Sequence, residues 1–148
     1  MTSTHKSVNW SLYLVTDRAL LRGRDPVAAV GEAVAAGVTV VQLREKEITT
    51  RAFIALAEDL VRLLRPRGIP LIVNDRIDVA LAADADGAHV GQDDMPAVLA
   101  RRLLGERRIL GVSVANPAEA AAAILAGADC LGAGVIFPTQ TKTDYDGT

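Results

Sequence analysis

Cysteine is nearly absent from this chain, with Cys130 its single representative. One thiol cannot form an internal disulfide, so the fold must hold without covalent staples, and such usage fits a reducing compartment. Cys130 lies in an apolar stretch, and an inert buried thiol is the expectation there rather than a nucleophile. Aromatic residues are scarce as well, at 3% against 50% hydrophobic overall. The core must therefore be built from Ala, Val, Leu and Ile, which suits helices packed on parallel strands. Neither sign of charge dominates: 16 Lys and Arg stand against 18 Asp and Glu, interspersed, for a net charge of −2. That balance argues against a nucleic-acid partner. No apolar run approaches the roughly 20 residues that cross a bilayer, so no membrane partner is expected. The opening MTSTHKSVNW lacks a signal-peptide core, and a cytoplasmic protein is the expectation. No glycine-rich dinucleotide fingerprint follows the first apolar run, which weakens a nucleotide-binding Rossmann reading.

What is present is a repeated pattern. The 148 residues fit one domain with a substantial core. Residues 1–10 are polar and read as a loose terminus, with a folded domain over 11–148. Apolar runs at Leu12–Thr16, Val38–Leu43, Leu71–Val73, Gly87–Val90, Ile109–Ser113 and Cys130–Gly134 read as strands buried on both faces. Between them lie helix signals. Asp25-Pro26 is a capping acid followed by a first-turn proline. Thr49 or Thr50 caps a long amphipathic segment to Leu64. Asn116 with Glu119 three positions on is a capping pair. Glu32–Arg44 and Glu119–Gly134 echo one another, each a helix, a glycine stop and a buried strand. About six βα units result. By pattern alone they fit either a doubly wound sheet or most of an eight-unit barrel.

The chain is organised around Leu71–Asp94, LIVNDRIDVALAADADGAHVGQDD. Two apolar runs end in acids, Asp75 and Asp94. Strand ends of one parallel sheet share a rim, where α/β folds bind ligands. The two carboxylates can share one hard cation, and Mg²⁺ suits a site with one or two carboxylates. The competing reading is that Asp75 merely caps the next helix. Other strand ends are polar too: Thr16, Asp17 and Arg18; Gln42, Arg44 and Lys46; Asn74; Gln92; Ser113; and Thr139, Thr141 and Lys142. Arg44, Lys46 and Lys142 place cationic groups beside the acids, an arrangement that suits a polyphosphate. Gln42, Arg44 and Lys46 alternate, so an extended chain turns all three to one side. A solvated charged loop is the plainer alternative for that segment. His89, inside an apolar run, reads as a hydrogen-bonded core histidine rather than a base. Ser113 reads as a ligand hydrogen-bonder rather than a nucleophile. Thr139 and Thr141 read either as turn residues or as part of a loop over a pyrophosphate.

These residues resemble the thiamine phosphate synthase family. The likeness is carried by LYLVTDR (12–18), VQLREKE (41–47), LIVNDR (71–76), GAHVGQDD (87–94), LGVSV (110–114) and GAGVIFPTQTKTD (132–144), in the family's order and spacing. The resemblance implies a (β/α)8 TIM barrel, of which about six of the eight units are present. It implies condensation of 4-amino-2-methyl-5-hydroxymethylpyrimidine diphosphate with hydroxyethylthiazole phosphate, giving thiamine phosphate and pyrophosphate. It also implies Mg²⁺ on Asp75 and Asp94. Gln42, Arg44 and Lys46 would hold the diphosphate, Asn74 the pyrimidine substrate, and Ser113 and Lys142 the pyrophosphate or that substrate. Arg44, Lys46 and Lys142 would stabilise the leaving group, and Thr139 and Thr141 would touch the thiazole phosphate.

Barrels of this kind usually need about 200 residues or more. The expectation is thus a C-terminally truncated chain with two open sheet edges, inactive or nearly so alone, and unstable or a homo-oligomer through those edges. Two other functions compete: a thiazole tautomerase-like barrel, and a non-catalytic phosphate-ligand-binding fragment. An isomerase needs no diphosphate or metal site, so the retained acids and bases speak against the first.

Overall fold

The computed structural model describes residues 7–134, 136 and 137. Six strands form one sheet in sequential order: β1 (Tyr13–Val15), β2 (Val40–Leu43), β3 (Leu71–Asn74), β4 (Gly87–Val90), β5 (Ile109–Val114) and β6 (Cys130–Ala133). Every neighbouring pair is parallel. Parallel pairing requires a crossover between strands. α2 (Pro26–Ala35), α3 (Thr50–Leu64), α4 (Ile77–Ala82), α5 (Ala97–Leu104) and α6 (Pro117–Leu125) supply them. The described residues therefore make six parallel strands in chain order joined by five helical crossovers. A short helix, α1 (Arg18–Leu21), follows β1 and has no apolar periodicity to announce it. It exists because Asp17 caps it, accepting from the Leu20 amide at 3.2 Å.

The predicted starts hold. Asp25, Thr49 and Asn116 are N-caps, accepting from the amides of Ala28, Ala52 and Glu119. Glu119 reaches back to the Ala115 amide at 2.7 Å, one residue before the cap.

Alternation along the strands splits the apolar residues into two populations. Val41, Leu43, Leu71, Val73, Ala88, Val90, Leu110, Val112 and Val114 face the helices and join Phe53, Ala57, Leu60 and Leu64 in the main core. Tyr13, Val40, Ile72 and Ile109 form a smaller cluster on the opposite face. That inner face becomes polar toward the strands' C-terminal ends, where Gln42, Asn74, His89 and Ser113 sit on the same side. Among the described residues β1 pairs only with β2, and β6 only with β5. Three of the four residues of β6 are exposed. No described helix is long and apolar enough to cross a membrane.

Candidate active site

The end of β2 is stitched to the end of β1, and this fixes the basic residues. The Thr16 amide donates to the Gln42 carbonyl at 2.9 Å, and the Arg44 amide to Thr16 Oγ1 at 3.0 Å. Arg18 forks onto Glu45, Nε to Oε2 at 2.8 Å and Nη2 to Oε1 at 2.7 Å. Glu45 is buried, and a bidentate guanidinium is the partner best shaped for its two oxygens. Arg44 Nη1 lies 3.3 Å from Asp17 Oδ2. The expected alternation is met only as far as the strand runs. β2 stops at Leu43, so Gln42 faces inward while Arg44 and Lys46 lie on irregular chain beyond it. Gln42 is buried and donates from Nε2 to the Tyr13 hydroxyl at 2.9 Å. Burial pushes Tyr13 up to about 12, against the Gln42 hydrogen bond, which pulls the other way.

The acids come from β3 and β4. Asp75 follows β3 in the left-handed region, φ 61°, an unusual state for a non-glycine residue. Its amide donates to the His89 carbonyl at 2.8 Å, which ties it to β4. Asp75 does not cap α4: the cap position is Arg76, and no side chain serves there. Its carboxylate instead accepts from Lys46 Nζ at 2.6 Å. Asp94 Oδ2 accepts from the Gly91 amide at 2.7 Å. The Asp94 carboxyl lies close enough to Asp75 and Lys46 to feel both charges. Burial first, and then Asp75, push Asp94 above its ordinary value, opposed by the Gly91 amide and Lys46. Two acids and a lysine thus meet at one mouth of the sheet.

The remaining expected residues divide. Asn74 is buried at the inner end of β3. Ser113 Oγ lies 2.8 Å from His89 Nε2, and the Ser113 carbonyl accepts from Gln92 Nε2 at 2.7 Å. His89 is the hydrogen-bonded interior histidine expected, but its partner was not legible: β4–β5 register sets His89 opposite Gly111, two residues before Ser113. Asp17 was placed at the rim from the sequence, but its pairing with Arg44 was not legible, and Tyr13 and Glu45 were missed as supports. The polar Thr16-Asp17-Arg18 after the first apolar run was the available signal. Thr139, Thr141 and Lys142 lie outside the described residues.

The donor set fits Mg²⁺. Two carboxylates from adjacent strand ends are hard oxygen ligands, and a divalent cation would favour the charged form that burial first, and then Asp75, disfavours at Asp94. Among the described residues no group of three or more His, Cys, Asp and Glu could hold a metal, so protein ligands would leave most positions to water or substrate oxygens.

Fold and site define an α/β protein with parallel strands and an acid–base cluster at their C-terminal rim, a common place for enzyme chemistry. The comparisons narrow that class. The sequence model of the TMP-TENI family, described as thiamine monophosphate synthase, matches residues 12–147, and the chain belongs to this family. It is 58% identical over 137 residues to a thiamine-phosphate synthase from Chloroflexus aurantiacus, covering 93% of this chain and 63% of that protein. It is 50% identical over 138 residues to the one from Alkaliphilus oremlandii, covering 93% and 66%. The structure superposes on a thiamine phosphate pyrophosphorylase from Pyrococcus furiosus with a TM-score of 0.79 at 42% identity, over 86% of this chain and 61% of that one. The chain thus spans about two thirds of the length of the curated relatives it matches.

Proposed function

We propose that this chain carries the diphosphate-handling part of a thiamine phosphate synthase site, within what would be a (β/α)8 barrel. The observation that carries the reading is the meeting of Lys46 with Asp75 at 2.6 Å and of Asp75 with Asp94 at the same rim. The substrates would be 4-amino-2-methyl-5-hydroxymethylpyrimidine diphosphate and hydroxyethylthiazole phosphate. The bond between the pyrimidine methylene carbon and a diphosphate oxygen breaks, and the thiazole nitrogen lone pair closes the new C–N bond. The leaving group takes the electron pair of the broken bond. Arg44 and Lys46 meet that growing negative charge, Arg44 as a fork and Lys46 as a point charge. Asp75 and Asp94 would hold Mg²⁺, which when bound neutralises diphosphate oxygens. Gln42, fixed by Tyr13, would hold the diphosphate with Arg44 and Lys46, and Asn74 on the inner face would contact the pyrimidine substrate. Lys142, Thr139 and Thr141 are assigned by resemblance to the leaving group and the thiazole phosphate. No protein nucleophile is required, because substitution at the methylene carbon needs charge stabilisation and alignment. The protein would act in the cytoplasm.

Release of pyrophosphate from the two substrates by the chain extended to full length tests this. Asp75→Ala and Asp94→Ala are each expected to lower the rate at least about a hundredfold, the scale for removing a major electrostatic stabiliser. Release by both variants at the wild-type rate would overturn the assignment.

A further inference from the structure

The inner face of the sheet holds a second polar pair, His89 of β4 with Ser113 of β5, that the acid–base cluster does not explain. Its setting is built around the imidazole. A Cβ placed on Gly111 would fall 2.3 Å from His89 Nδ1 and 3.1 Å from the ring Cγ. A Cβ on Gly132 would fall 3.2 Å from Cε1 and 3.4 Å from Nε2. The ring therefore extends from its own strand across the backbones of β5 and β6, in space that only glycine leaves open. At its far end Nε2 stands 2.8 Å from Ser113 Oγ. Register sets Ser113 beside Gly132, so the hydroxyl is held from the same platform.

The chemistry of the pair depends on one proton. An imidazole with its proton on Nδ1 would make Nε2 an acceptor and consume the serine hydrogen. With the proton on Nε2 the ring donates to Oγ, and the hydroxyl hydrogen turns elsewhere. Donation also strengthens the hydroxyl as a donor, since linked hydrogen bonds polarise one another. We propose that His89 is a positioning residue that donates from Nε2 to Ser113 Oγ, so that the Ser113 hydroxyl points its hydrogen at an anionic oxygen of the bound ligand. This rests on the reading of the rim as a diphosphate site. It adds a neutral hydroxyl donor beside the cationic Arg44 and Lys46.

Two measurements test it. Long-range proton–nitrogen correlation spectra of the protein report the His89 tautomer directly. The Nε2–H pattern, altered by Ser113→Ala, is expected; an Nδ1–H pattern overturns the proposal. Calorimetric binding of pyrophosphate in the presence of Mg²⁺ gives the second readout. Ser113→Ala and His89→Ala are each expected to weaken binding about tenfold, as for one hydrogen bond to a charged acceptor. The double variant should bind no more weakly than Ser113→Ala alone. His89→Gln, whose amide nitrogen stands near the Nε2 position, should recover most of the loss. Additive losses, or no recovery with glutamine, overturn the proposal. Absence of any pyrophosphate binding by the wild type would sink the diphosphate reading of the rim, and with it the hydroxyl's proposed target; the spectra would still decide which way the proton sits.

Discussion

The same substitution at three glycines should have three different outcomes. At Gly87, on the inner face of β4, an added Cβ would lie 2.2 Å from the Ile109 carbonyl oxygen and 2.7 Å from its Cβ, where ordinary contact begins near 3.4 Å. The obstacle is backbone, so rotation of a side chain gives no relief. β4 and β5 would have to part by more than an ångström across a register four residues long. Gly87→Ala is expected to cost about 3 kcal/mol, the upper range for overpacking. For a chain of this size that lowers the melting temperature by roughly 6–12 °C. At Gly31, inside α2, the added Cβ meets only Leu63 Cδ2 at 3.8 Å. Removing a helix-interior glycine there should stabilise by about 0.5–1 kcal/mol. At Gly111 the obstacles are the His89 ring and, at 3.1 Å, Cys130 Sγ. Gly111→Ala should cost an intermediate ~1–2 kcal/mol and weaken pyrophosphate binding by displacing His89 from Ser113. Denaturant and thermal unfolding of the three variants measure the stabilities, and calorimetry with pyrophosphate measures the binding loss of Gly111→Ala. A Gly87→Ala protein within about 1 kcal/mol of wild type, below the usual cost of overpacking, would refute the packing argument.

Four further outcomes are expected. Mg²⁺ should raise the thermal midpoint of the wild type but not of Asp75→Ala or Asp94→Ala, since only a ligand that binds the folded state stabilises it; equal shifts in all three proteins would count against the acid pair as the site. Tyr13, pushed to about 12 by burial, should ionise late in an ultraviolet pH titration, in a step that Tyr13→Phe removes. Because its folded value is raised, its contribution to stability is complete below pH 10, the ordinary phenol value, and is lost as pH rises through about 12. Cys130, raised to about 11 by burial and then by the Asp129 charge, should react with a thiol reagent at pH 8 far more slowly than free cysteine does. Asn116→Ala should cost about 1 kcal/mol in denaturant unfolding through loss of the α6 cap.

The order and kind of the elements were determined by the sequence itself, because they depend on interactions a few residues long. Asp25, Thr49 and Asn116 cap helices through amides three positions on, and buried parallel strands show as unbroken apolar runs such as Leu71–Val73. The place of the acids was legible for the same reason, since Asp75 and Asp94 stop two such runs. Tertiary structure decided what each polar group touches. Asp75 bonds Lys46 rather than capping α4, because a left-handed turn tied to the His89 carbonyl aims it along the rim. Arg18 reaches Glu45 and Arg44 reaches Asp17 across the β1–β2 pairing, where a one-residue shift would turn each away. His89 meets Ser113 only because β4–β5 register and two glycines leave room for the ring. Local sequence carries capping and burial; pairings across strands depend on register, and register is set by the packing of the whole sheet.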